Sequence, residues 1–284
     1  MTFCSNIPAM SKSTAEDIVR RATAAFNAGK PDEARALCEQ GLRRAPDEPM
    51  LHHVLAAVLF AKGDVATARV HIEASLARQP DNAAARMLAA RIARSAKDFG
   101  AALSHLDLSI ATAPQREAFV EKARTLDQAS AVQKQLRPQA REAWRAVLKA
   151  IPHHQEAAAR LGRLAFEDGD HAEAIELLER AVASDAPASV WFDLGLVRQD
   201  LRDRGGAAAA YRKALDIKPD FPEAHVNLGL NLQHSGDLES AMDSYRQAVR
   251  LRPDSFGRIA QALTSAKKGQ LWLNLGRLRR SLGA

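Results

Sequence analysis

Residues 222–255, PEAHVNLGLNLQHSGDLESAMDSYRQAVRLRPDS, form the clearest unit in the chain and govern how the rest is read. Small and apolar residues at Leu228, Gly229 and Leu232, then at Ala241, Tyr245, Ala248 and Leu251, recur at three- and four-residue spacing. That is the period of two amphipathic helices. Between them stands Ser235-Gly236-Asp237. Glycine suits the left-handed conformation that ends one helix, and aspartate caps the start of the next. After Leu251 the chain reads Arg252-Pro253-Asp254, where proline stops the second helix. The product is a helix–turn–helix hairpin of 34 residues.

Other stretches are copies of this one. Residues 188–221 repeat it with Trp191, Leu194, Gly195, Ala207, Tyr211, Ala214 and Pro219. From Ala15 the same frame fits 15–48, 49–82 and 83–116, which end in Pro46, Pro80 and Pro114 and turn at Gly29-Lys30, Gly63-Asp64 and Lys97-Asp98. Ala22, Ala56 and Ala90 stand where the later copies have glycine. The unit 117–154 is irregular, because its proline, Pro152, falls 38 residues after Pro114. Its second helix shows in Ala140, Trp144 and Val147, while its first, from Gln115 to about Gln135, is polar and lengthened, with Pro138 near the turn. Residues 155–187 restore the frame with Leu161, Gly162, Gly169-Asp170, Ala174, Leu178 and Ala181. One column is invariant across the units: Ala34, Ala68, Ala102, Ala140, Ala174, Ala207 and Ala241.

The spacing and these residues resemble the tetratricopeptide repeat, with His225 where that family usually has tryptophan. The resemblance implies an all-α fold, a right-handed α-solenoid of about seven hairpins over 15–255. Low aromatic content (5%) and the absence of period-two alternation agree with helices throughout. A flexible tail is expected at 1–14, with Ser13-Thr14-Ala15-Glu16 reading as a capping box. Stacked arrays leave an apolar face open at each end, so 256–284 are expected to be basic C-terminal capping helices. Ile259, Leu263 and Ala266 form one covering stripe, and Leu271, Trp272, Leu275, Leu278 and Leu282 a second, with Arg277, Arg279 and Arg280 facing elsewhere. An amphipathic basic helix of this kind could instead dock a partner or lie on an anionic membrane.

The net charge of +6 is local: residues 255–284 hold six basic residues (Arg258, Lys267, Lys268, Arg277, Arg279, Arg280) and no acidic one. A basic surface is therefore expected at the C-terminal end only, and nucleic acid is an unfavoured partner for the whole. No apolar run reaches the roughly 20 residues needed to cross a bilayer, and the start MTFCSNIPAMSKST lacks the pattern of an export signal. Two cysteines, Cys4 and Cys38, make no disulfide framework, so a reduced, cytoplasmic setting is expected. The alanine- and arginine-rich repeats suggest a bacterial protein.

A search for chemistry finds no HExxH, no CxxC and no glycine-rich phosphate loop after a strand. His52-His53 and His153-His154 are adjacent pairs whose members point about 100° apart on a helix, so neither pair grips one ion from one helix. Cys38 reads as core filling. Neither a catalytic residue, a metal site nor a cofactor is expected.

What remains is a surface. The resemblance implies that the first helices line a concave groove, with Phe26, His53, Phe60, Met87, Arg91, Arg94, Arg163, Phe166, Phe192, Gln199 and His234 facing it. Phenylalanine would supply apolar anchors and arginine would meet acidic groups. The expected function is a non-enzymatic interaction adaptor or scaffold for a peptide or protein partner. The family's lysine–asparagine carboxylate clamp is not apparent, and Asn227 is a single rung of the asparagine ladder found in glycosyltransferase-linked repeats. An accessory, substrate-presenting subunit of a modifying enzyme such as a glycosyltransferase or hydroxylase is the alternative. Nucleic-acid binding through the basic C-terminal end is a third.

Overall fold

The computed structural model describes residues 12–182, 185–265 and 275–283. They form sixteen α-helices and, among the described residues, no strand. The helices follow one another as antiparallel pairs: α1 (Lys12–Asn27) with α2 (Pro31–Arg44), α3 (Pro49–Ala61) with α4 (Val65–Arg78), and α5 (Ala83–Ser95) with α6 (Phe99–Thr112). Next come α7 (Arg116–Val132), a single 3₁₀ turn (Lys134–Leu136) and α8 (Arg137–Ala150). The pairs resume as α9 (Gln155–Glu167) with α10 (His171–Ala181), α11 (Ala188–Asp200) with α12 (Arg204–Ile217), and α13 (Pro222–Ser235) with α14 (Leu238–Leu251). The last two helices are α15 (Ser255–Ser265) and α16 (Leu275–Leu282). Residues 1–11 with Cys4, and 266–274 with Ala266, Lys267, Lys268, Leu271 and Trp272, lie outside the described residues.

Helix α1 already includes Lys12, which places Ser13 and Thr14 inside the helix. The capping box read from that sequence is therefore not the helix cap, and 12–14 are helical where a tail extending to residue 14 was expected.

Most of the hairpin turns share one local chemistry, a left-handed glycine, an aspartate cap or both. Gly29, Gly63, Gly169 and Gly236 end their first helices at φ between 72° and 92°, the left-handed region where only glycine avoids a Cβ clash. The amide directly after the glycine then reaches back five residues, as Asp64 N–H does to the Leu59 carbonyl at 2.9 Å and Asp237 N–H to the Leu232 carbonyl at 3.0 Å. Such bonds satisfy carbonyls that the helix end would otherwise leave unpaired. Aspartate then opens the second helix: the carboxylates of Asp64, Asp98, Asp170, Asp203 and Asp237 accept from the backbone N–H three residues on, at 2.9–3.1 Å. Each cap of this type contributes about 0.5–2 kcal/mol.

Packing within a hairpin depends on small residues. All seven alanines of the second-helix column, Ala34 to Ala241, are fully buried. In the first helix, a Cβ added at Gly195 would lie 2.5 Å from Tyr211 Cε1, and one at Gly229 the same distance from Tyr245 Cε1. Where alanine replaces this glycine, at Ala22, Ala56 and Ala90, the corresponding second-helix residue is the smaller Cys38, Ile72 or Leu106. Burial pushes the Cys38 thiol up to about 12, so it stays protonated and serves as core.

The chain divides after Val147 into two compact units. In the first, α2 packs on α3, α4 on α5 and α6 on α7, while α1, α3, α5 and α7 form a row of neighbouring first helices. Its core joins Cys38, Leu55, Leu59, Ile72, Leu88 and Ile92. In the second, α10 packs on α11 and α12 on α13, and α15 and α16 both pack on α14. Ile259, Leu263, Leu278 and Leu282 are buried against Tyr245 and Val249. Leu278 and Leu282 of α16 thus lie against their own chain, and Arg279 lies over the Phe256 ring at 4.9 Å from its centroid.

Candidate functional site

The residues expected on the first-helix face fall into two groups, one in each unit. In the first unit, Phe26 (α1) and Phe60 (α3) are half-buried at the C-terminal ends of their helices, their inner edges against the core. Arg91 of α5 is exposed and holds its guanidinium 5.8 Å from the Phe60 ring centroid, a cation–π arrangement. One turn on, Arg94 bonds Glu121 of α7 at 3.1 Å. Glu121 also takes Arg124 at 2.7 Å, and its side chain is only 12% exposed. Met87 is half-buried. His53 is also half-buried, its Nδ1 shielded without a hydrogen-bond partner, and burial lowers its pKa.

In the second unit, Arg163 of α9 bonds Glu167 at 3.0 Å and reaches Asp193 of α11 at 2.7 Å. Burial raises the Asp193 carboxyl above its ordinary range, while Arg163 pulls it the other way. These groups border a cavity of about 430 Å³ between α9 and α11, lined by Glu156, Arg160, Arg163, Ser189, Val190 and Asp193. Phe166 meets His171 edge-on at 5.7 Å. Phe192 lies between Tyr211 and Phe221, with centroids 5.6 and 4.8 Å away. Gln199 accepts from the Tyr211 hydroxyl at 3.1 Å and from Asn231 at 2.6 Å. His234 is exposed at the end of α13.

The structure therefore sorts the expected residues. Phe60 and Arg91 form one continuous feature, and Arg94 continues it through Glu121. Arg163 is bound to two carboxylates, Phe192 is engaged within its own repeat, and Gln199 links its repeat to the next through Asn231. Glu121 was read only as part of a polar helix; its one sequence signal was Arg124 three residues on. The Asn227 rung is buried and accepts from Arg258 of α15 at 3.0 Å.

The place that tryptophan usually takes has its own logic. His52 Nε2 approaches the Pro46 carbonyl at 2.8 Å, Arg86 Nε donates to that of Pro80 at 2.8 Å, and His225 Nε2 approaches that of Pro219 at 3.0 Å. Each side chain supplies an N–H to the carbonyl of the proline six residues earlier, a donor that indole also possesses. Among the described residues no group of three or more His, Cys, Asp or Glu is placed to hold a metal ion. No described helix is long and apolar enough to cross a membrane.

Paired helices with buried small residues at the crossing, joined by glycine–aspartate turns, define a helical-hairpin repeat protein of the α-solenoid class. The chain belongs to the tetratricopeptide repeat family: one family model matches residues 19–71, 129–189 and 192–256, and a second matches 59–125. It is 33% identical over 67 residues to tetratricopeptide repeat protein 8 of Caenorhabditis elegans, covering 24% of this chain. The matched parts span only 13% and 29% of the first two curated relatives. Among solved structures, the APC/C Cut9–Hcn1 hetero-tetramer aligns with a TM-score of 0.64 at 15% identity, covering 87% of this chain and 48% of that one. YrrB, described as a tetratricopeptide repeat protein with an unusual peptide-binding site, aligns with a TM-score of 0.56 at 16% identity, covering 69% and 98%. These likenesses concern the fold.

Proposed function

We propose that this chain is a protein-interaction adaptor, without catalysis of its own, that holds a peptide or protein segment on its first-helix face. The observation that carries this reading is the Phe60–Arg91 step. Arg91 is exposed, rests on an aromatic ring and has no carboxylate partner among the described residues, whereas Arg94 one turn on, and Arg163 in the second unit, are tied to acids. Aromatic rings and arginine are the residue types that anchor interfaces, and helices already held by their neighbours lower the cost of ordering a binding surface. The peptide-binding site named for YrrB supports the same class of ligand. Phe26, Phe60 and Met87 would take apolar side chains and Arg91 an acidic one. Arg94 and Arg163 contribute less charge, because Glu121, Glu167 and Asp193 offset them.

The test is recovery of partners from a lysate by the wild-type chain, by Arg91→Glu and by Phe60→Ser, with mass-spectrometric identification. Arg91 is exposed, so its replacement is expected to leave the thermal transition unchanged while at least tenfold less partner is recovered. Equal recovery by both variants would remove the first-helix face from the interaction.

A further inference from the structure

His52 of α3 and His71 of α4 are 19 residues apart in sequence, and the fold brings them face to face. Their Nδ1 atoms are 2.9 Å apart, their ring centroids 5.2 Å apart, and their planes meet at 32°. The protons follow from the partners. Nε2 of His52 lies 2.8 Å from the Pro46 carbonyl oxygen, which can only accept, so this nitrogen carries the hydrogen. A neutral His52 then presents a bare Nδ1, and the hydrogen between the rings belongs to His71, whose Nδ1–H donates.

We propose that His52 and His71 form a binding site for one divalent transition-metal ion of the zinc class, held by the Nδ1 atoms of both rings. Metal–nitrogen bonds of about 2.0–2.1 Å at a tetrahedral angle put two ligand nitrogens about 3.3 Å apart. The pair therefore opens by roughly 0.4 Å, and each ring turns to aim its lone pair at a common point. On binding, the His71 proton leaves Nδ1 and Nε2 takes one up, so both rings stay neutral. His52 keeps its Nε2–H on the Pro46 carbonyl, the outer hydrogen bond that fixes the tautomer of a metal-bound imidazole. Both rings are half-buried. A cavity of about 370 Å³ borders His71 and is lined also by Glu39, Thr67, Arg35 and Arg43, with Glu39 accepting from Arg35 at 2.7 Å; it gives room for water as the remaining ligands.

The next repeat provides an internal contrast. Arg86 occupies the place of His52, donates to Pro80 in the same way and lies 3.4 Å from His105 Nδ1. The fold therefore requires only an N–H donor at this place, and arginine's fixed charge repels a cation there. The histidine pair goes beyond that structural requirement.

Calorimetric titration of the untagged full chain at pH 7.5 with zinc chloride alone is expected to show one equivalent whose affinity falls at least tenfold in His52→Gln or His71→Gln. Nitrogen-15 spectra of the imidazoles are expected to move at His52 and His71 and not at the other histidines. Arg86→His should create a second pair with His105 and raise the uptake by one equivalent, which keeps the test decisive should the first variants fold poorly. Zinc uptake that is unchanged in His52→Gln and in His71→Gln, imidazole shifts confined to other histidines, or no added equivalent in a folded Arg86→His chain would each overturn the assignment.

Discussion

At Gly195 the helix backbone runs against the ring of Tyr211, so near that a methyl group would overlap Cε1 at 2.5 Å. Gly195→Ala is expected to destabilise the chain by about 1–3 kcal/mol, the usual cost of overfilling a packed contact, read from the midpoint of urea unfolding. Adding Tyr211→Leu should recover part of that loss, because alanine and a branched aliphatic residue already occupy these two places at Ala56 and Ile72 and at Ala90 and Leu106. The two substitutions should thus be non-additive in a double-mutant cycle. At this scale the repeat signature was legible, since a small residue opposite a larger one is written in the sequence of each unit. The pairing of charges was not. Arg163 was read as a cation open to a ligand, yet Asp193, 30 residues on, already holds it at 2.7 Å.

Among the elements, two turns break the glycine rule. Lys97 and Arg202 adopt φ of 61° and 64° where the other hairpins have glycine or end differently. A residue with a Cβ pays roughly 1–2 kcal/mol for that conformation, partly offset by the lower unfolded-state entropy it brings compared with glycine. Lys97→Gly is accordingly expected to stabilise the chain by about 1 kcal/mol, seen as a rise in melting temperature, and Gly63→Lys to lower it by a similar amount. The irregular fourth hairpin was legible as a lengthened first helix, but its end was placed at about Gln135 and α7 stops at Val132. Pro138 explains the difference. Proline is tolerated only in the first turn of a helix, so α8 must open at Arg137 and the intervening residues form a 3₁₀ turn. Helix α16 was expected to be a cap, with a docking helix or a membrane-surface helix as the alternatives; Leu278 and Leu282 are buried among residues of α14 and α15.

For the whole molecule, acid sensitivity follows from its histidines. Burial lowers the pKa of His105 below 6.5, with Arg86 adding repulsion, and burial likewise lowers that of His225 against the opposing pull of the Pro219 carbonyl. With the folded pKa depressed, the unfolded chain binds more protons below 6.5. The stability associated with these neutral rings is complete above that pH and is lost as pH falls through the folded values. Denaturant midpoints measured from pH 7.5 to pH 5 should therefore decline. His225→Gln keeps a donor for Pro219 but cannot titrate, so its decline should be shallower; an identical slope would assign the sensitivity elsewhere. From the sequence alone came the all-helical hairpin architecture, because helix period, glycine turn and aspartate cap are interactions among residues no more than about five positions apart. Only the tertiary structure decided which charges neutralise one another and which histidines meet. Arg94 with Glu121, Arg163 with Asp193 and His52 with His71 are 19 to 30 residues apart in sequence, and side chains so distant in sequence meet only where helix packing sets their direction.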